Sequence, residues 1–168
     1  MLPEHLSNKV CSLVPNEDRL TYSVIVEITE RGRIIDYVIE KTIINSKRRF
    51  TYEEVQNILE TGKGDFADDL LTLNKIARIL RKNREKKGSI NFSSTEVKFI
   101  LDENNKPVGI VPKKINESNE LVEDFVLLAN QLVAKHVNKS KIKYDFIYRV
   151  HDKPEIDKVK EFARFVKT

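Results

Sequence analysis

The stretch NESNELVEDFVLLANQLVAKHV, residues 116–137, carries Glu117, Glu120, Glu123 and Asp124 and then turns almost wholly apolar. Carboxylates are the raw material of proton transfer and of metal or hydroxyl recognition. Unrolled as a helix at about 100° per residue, the stretch places Leu121, Leu128, Leu132 and His136 near Phe125, with Val122 and Ala129 to one side. Asp124 falls with Gln131 and Lys135, and this pattern assigns it to a solvated face. Glu123 falls nearly opposite Phe125, in a sector shared with Val126, Leu127, Asn130, Ala134 and Val137. A helix apolar on most sides is buried on most sides, so the pattern assigns Glu123 to a buried setting. A buried carboxylate without a partner costs on the order of several kcal/mol. Two readings of Glu123 stand at this point. It forms an internal pair with an arginine, joined by Asn130, or it lines a polar channel.

Other candidates carry less. His5, His136 and His151 are not at metal-ligand spacing, and His136 near a helix C-terminus suits a core or dipole role. Asp65, Asp68 and Asp69 read as the start of a helix rather than a metal site, because basic residues crowd its other end. Cys11 is the single cysteine, which excludes an intramolecular disulfide and a multi-cysteine zinc site. No Gly-rich phosphate loop, G-x-S-x-G motif or two-metal acidic cluster is present. The basic residues do cluster, as KRR at 47–49, as RKNREKK at 81–87, and as Lys135, Lys139, Lys141 and Lys143. Such clusters suit a polyanion; they also suit solvated helix ends.

The elements that must hold these residues are legible in outline. LTYSVIVEIT and IIDYVIEKTIIN alternate with period two around the turn ERGR, giving a hairpin over about 20–45. Thr51 and Glu54 make a capping box for a short helix. A longer helix is expected from about Phe66 to Lys87, stopped by Gly88. SINFSS with EVKFIL, then VGIVP after the turn DENNKP, read as strands, and so does YDFIYRV. Asp152 to Glu155, with Pro154 in the first turn, opens a last helix carrying Ile156, Val159, Phe162 and Val166. The expected class is mixed α and β: an antiparallel or mixed sheet with three to four helices packed on it.

Composition sets the outer bounds. The chain has 168 residues, a net charge of +4 and a pI near 9.0. Hydrophobic residues make up 40%, which is expected to support a sizeable core. No apolar run approaches the roughly 18 residues of a membrane span. The start, MLPEHLSNKV, lacks the pattern of a secretory signal, and a cytoplasmic compartment is expected.

Five segments together resemble one family. LPEHLSNKVCSLVPNEDRLTYSV, RRFTYEEVQNIL, INFSSTEVKFIL, ELVEDFVLLAN and YRVHDKP are similar, in order and separation, to segments of the ribonuclease II/ribonuclease R (RNB) catalytic domain, closest to the ribonuclease R branch. The resemblance covers nearly the whole chain and implies that residues 1–168 are part of a single RNB catalytic domain. It implies processive 3′→5′ degradation of single-stranded RNA to nucleoside 5′-monophosphates with Mg²⁺ in the full-length enzyme. It places Tyr52 near the 3′-terminal ribose, Phe92 in a stack on the terminal base, and Glu123 at a 2′-hydroxyl. Asn130 would share the channel with Glu123, and Lys47, Arg48 and Arg49 are candidate phosphate contacts. The family's metal-binding aspartates are expected upstream of this segment and its catalytic arginine downstream, so no metal ligand and no complete catalytic set is expected here. No membrane and no obligate protein partner is implied. A non-catalytic RNA-binding module of the same descent, and a purely structural domain with Glu123 paired internally, are the competing readings.

Overall fold

The computed structural model describes residues 3–89, 97–112, 115–140, 145–150 and 152–166. The chain divides into two compact units, Met1–Val133 and Ala134–Thr168.

The first unit opens with a short π-helical turn, Leu6–Val10, which the sequence pattern does not announce. The hairpin follows as β1, Asp18–Ile28, and β2, Ile34–Asn45, antiparallel with Leu20 opposite Ile43 and Val24 opposite Ile39. Its turn closes through Thr29 N–H to the Arg33 carbonyl at 2.9 Å. Gly32 takes φ +72 there, a left-handed conformation that only glycine adopts without strain. A side chain at Gly32 would also have its Cβ 2.8 Å from Cγ2 of Ile79, so the glycine lets the hairpin tip press on the long helix.

Helix α1, Tyr52–Thr61, starts at the expected capping box: Glu54 N–H donates to the Thr51 hydroxyl at 3.2 Å, and Thr51 N–H to the Glu54 carboxylate at 2.7 Å. Gly62 ends it with φ +69. Helix α2, Ala67–Glu85, has Asp68 and Asp69 in its first turn and Lys82 and Arg84 in its last, as the dipole pattern anticipates. A second ribbon, β3 Val97–Leu101 with β4 Pro107–Pro112, turns on Asp102, whose carboxylate accepts from Asn104 N–H and Lys106 N–H. Helix α3, Glu117–Lys139, begins in this unit.

The class is mixed α and β, but among the described residues the strands form two separate two-stranded ribbons instead of one sheet; the strand expected at SINFSS lies mostly outside the described residues. This limits the core. A two-stranded ribbon pairs its edges and leaves its faces to be covered by something else. Leu20, Tyr22 and Ile43 are 86%, 71% and 68% exposed. The expected sizeable core is, among the described residues, a small cluster on the three helices: Ile58 of α1, Ile76 and Ala77 of α2, and Leu121, Leu128 and Leu132 of α3.

In the second unit, residues 145–150 form no strand, contrary to the alternation of YDFIYRV; no strand pairs with them among the described residues. Phe146 and Tyr148 instead meet edge to face at 5.0 Å. Helix α4 runs over Ile156–Val166, so Pro154 precedes it and does not sit in its first turn. Its apolar residues Ile156, Val159, Phe162 and Val166 are all exposed.

Candidate nucleic-acid interface

Two places in the first unit hold the candidate residues. The first is the short link from β2 into α1. Lys47, Arg48 and Arg49 are all exposed there. Lys47 Nζ donates to the Asn45 side chain at 2.9 Å. Arg48 is more committed: it donates to Glu54 at 3.3 Å, lies 3.8 Å from Asp65, and stacks its guanidinium over the Phe50 ring at 5.2 Å. Phe50 in turn meets Phe66 edge to face at 6.3 Å. Arg49 has no hydrogen bond or ion pair among the described residues, which leaves it the most open cation of the three. Tyr52 is the first residue of α1 and is half exposed. The capping box beside it fixes the backbone from which its ring projects. Hydrogen bonding from Thr51 N–H holds the Glu54 carboxyl below its ordinary value of 4.5, against a weaker desolvation effect.

The second place is α3, and here the helix reading is overturned. Asp124, assigned to water by periodicity, is only 1% exposed. Arg81 Nε and Nη2 donate to its Oδ2 at 3.2 and 2.8 Å, and Arg84 donates to its Oδ1. Arg81 also reaches Glu120, and Arg78 grips Glu117 with two nitrogens. Glu123, assigned to a buried sector, is exposed, as is Asn130 two turns on. Of their apolar neighbours on that sector, Val126 is 52% exposed and Leu127 and Ala134 are half-buried, so the sector opens outward around Glu123. The internal pair foreseen for Glu123 belongs to Asp124.

The physical reason lies on the facing helix. Arg78, Arg81 and Arg84 recur every three residues along α2, and Glu117, Glu120 and Asp124 follow at three and four along α3. The rungs rise by about 9 Å on one helix and about 10.5 Å on the other. Pairing runs low to low and high to high, so the two helices lie parallel at this contact. The spacing of both sets was readable in the sequence, and their match was the missed signal. It also removes Arg81 and Arg84 from the basic run 81–87 as free phosphate contacts.

The electrostatics agree with the geometry. Hydrogen bonding from Arg78 is the main reason the Glu117 carboxyl sits below its usual 4.5, with burial opposing and Asn74 assisting. Its partner Arg78 is raised by the same bond. For Arg81, burial pulls the guanidinium down, but the bonds and charges of Asp124 and Glu120 outweigh it and the net shift is upward.

The structure does not bring every sequence candidate into one described site. Phe92 and His151 lie outside the described residues. His5 and Cys11 are exposed at the start of the chain. Among the described residues no group of three or more His, Cys, Asp or Glu side chains is placed to hold a metal ion. The densest acidic run, on α3, is already matched by arginines. A Mg²⁺ ion therefore does not fit the donor set described here.

Residues 1–168 match the RNB domain family. The chain is 39% identical over 172 residues to ribonuclease R of Thermotoga maritima, covering 99% of this chain and 24% of that protein. It is 41% identical over 144 residues to the human exosome complex exonuclease RRP44, covering 83% of this chain and 15% of that one. Ribonuclease R of Mycoplasma genitalium shares the fold with a TM-score of 0.89 at 28% identity, over 99% of this chain and 26% of that structure. The same ribonuclease has been solved in complex with ribose methylated single-stranded RNA. The chain thus spans about a quarter of the length of the ribonucleases R it matches.

Proposed function

The chain belongs to the RNB domain family, and from that membership we propose that it is one segment of a 3′→5′ exoribonuclease acting on single-stranded RNA. In that enzyme it supplies contacts to the RNA path and the 3′ end, and the products are nucleoside 5′-monophosphates. The observation that carries this reading is the match along all 168 residues, together with the fold shared with a ribonuclease R solved with single-stranded RNA.

The exposed positions of Tyr52, Glu123 and Asn130 support the division of labour. Tyr52 presents an aromatic ring to the terminal ribose, and Phe92 stacks on the last base. Stacking is indifferent to base identity and suits a nuclease without sequence preference. Glu123 accepts a hydrogen bond from a 2′-hydroxyl, the group that separates RNA from DNA. Asn130, on the same outward sector, adds a donor and an acceptor about 10.5 Å further along the helix. Lys47 and Arg49 meet backbone phosphates, with Arg48 held back by its carboxylate partners. In that enzyme Mg²⁺ would be held by carboxylates other than those of the described residues. No described helix is long and apolar enough to cross a membrane. A lone cysteine and a basic, charged surface fit work in a reducing cytoplasm.

The test is binding of the chain to a 5′-labelled single-stranded RNA and to DNA of the same sequence. RNA should bind more tightly, Tyr52→Ala and Phe92→Ala should weaken both, and Glu123→Gln should close the gap between them. Equal binding of RNA and DNA, unmoved by these changes, would remove the reading. Exchanging the segment into Thermotoga maritima ribonuclease R separates a nuclease segment from a mere RNA-binding module, because only the former restores processive cleavage.

A further inference from the structure

We propose that Asp124 is a positioning residue: its ion pairs with Arg81 and Arg84 set the rotation of α3 about its own axis and so keep Glu123 turned outward for the RNA ribose. The inference rests on the reading of Glu123 given above. Glu123 and Asp124 are adjacent carboxylates, separated by about 100° around the helix. Either could satisfy the arginine pair, and only one does. Asp124 is 99% buried by exposure, its two oxygens are divided between the two guanidiniums, and Glu123 is left in solvent.

The arginines cannot be left unmatched. The side chains of Arg81 and Arg84 are only 20% and 23% exposed, and a guanidinium stays charged in proteins. Without the charge of Asp124 they draw on the nearest carboxylates of α3, which are Glu120 and, after a turn of one residue, Glu123. The same rotation that satisfies the arginines takes Glu123 away from the outward sector. The ladder below, Arg78 with Glu117 and Arg81 with Glu120, pins the first turn of the helix, and Asp124 is the contact that sets its rotation beside Glu123.

The experiment uses the whole chain with Cys11→Ser, Lys82→Cys and Val126→Cys, spin-labelled at 82 and 126, both exposed. Asp124→Asn keeps the size of the side chain and removes its charge. The distance between labels should broaden or move by about 5 Å, the outer radius of a helix. Unlabelled Asp124→Asn should lose about tenfold in preference for RNA over DNA, the scale of one charged hydrogen bond. Glu123→Gln should lose the same factor, and the double variant no more. Arg84→Met, which leaves Arg81 matched to Asp124, is the variant to use if Asp124→Asn does not fold, and it should show the same changes in smaller degree. An unchanged distance in both variants overturns the proposal. So does a shifted distance with native RNA preference where Glu123→Gln has lost it. A native preference in Glu123→Gln instead removes the 2′-hydroxyl reading and the RNA half of the inference, and the distance alone then decides whether Asp124 sets the rotation.

Discussion

Two nitrogens of Arg81 converge on one oxygen of Asp124, Oδ2, at 3.2 and 2.8 Å, while Arg84 takes the other oxygen. A carboxylate so enclosed is a structural element in its own right, and removing it exposes what it balances.

Asp124→Ala should therefore cost about 3 kcal/mol of folding stability, the lower end for breaking a buried pair because the arginines keep some solvent. Glu123→Ala, one residue earlier, should change stability by less than about 0.5 kcal/mol. Urea melts of both variants against the native chain check the contrast. Equal losses at the two positions would contradict the burial found here.

How far this was legible in the sequence depends on how local the signal is. The capping box of Thr51 and Glu54, the hairpin around ERGR and the dipole-matched ends of α2 are written within a few residues, and each is found in the structure. The phase of α3 is not local. Leu121, Leu128 and Leu132 give the direction of the core correctly, but the neighbouring sector is decided by what α2 presents to it. An arginine face there draws Asp124 inward, and Glu123, with no partner among the described residues, is left outside. Residues 145–150 fail in the same way: alternation offers a strand, and only a partner makes one.

Acid should act on the ladder through Glu117. Its carboxyl is held below the usual 4.5 by Arg78 in the folded chain. A depressed folded value means that the stabilisation is complete above the unfolded value and is lost as pH falls through the folded one. The native chain should thus lose stability as pH drops below about 4.3, the unfolded carboxyl range. Glu117→Gln should start less stable at neutral pH and lose less over the same acid interval. Melting midpoints taken from pH 6 down to 2.5 would show the two curves converging; parallel curves would mean that the pair contributes nothing.

At the hairpin tip, Gly32 meets two demands at once, a left-handed φ of +72 and a Cβ position 2.8 Å from Ile79. Gly32→Ala should cost about 1–3 kcal/mol, the range for an imposed backbone strain. Adding Gly32→Ala to Ile79→Ala, which lacks the crowding Cγ2, leaves φ untouched, so the double variant should not return to the stability of Ile79→Ala alone. Full restoration would show that crowding alone, without backbone strain, set the cost.

The purified 168-residue chain, supplied with Mg²⁺, should release no mononucleotides from a 5′-labelled single-stranded RNA. Metal-assisted phosphodiester hydrolysis needs carboxylates that converge on a cation and keep positions open for water and the leaving oxygen. The acidic side chains described here are disposed otherwise. Glu117, Glu120 and Asp124 face arginines, and an arginine beside a carboxylate competes with a metal for the same lone pairs. Asp68 and Asp69 stand in the first turn of α2, and Asp65 just before them lies 3.8 Å from Arg48. The same preparation should still bind the RNA, because the ribose and phosphate contacts proposed for Tyr52, Glu123 and Arg49 need no metal. A denaturing gel run beside a binding titration separates the two properties. Processive loss of single nucleotides that follows the purified chain would show that the segment carries a catalytic centre of its own.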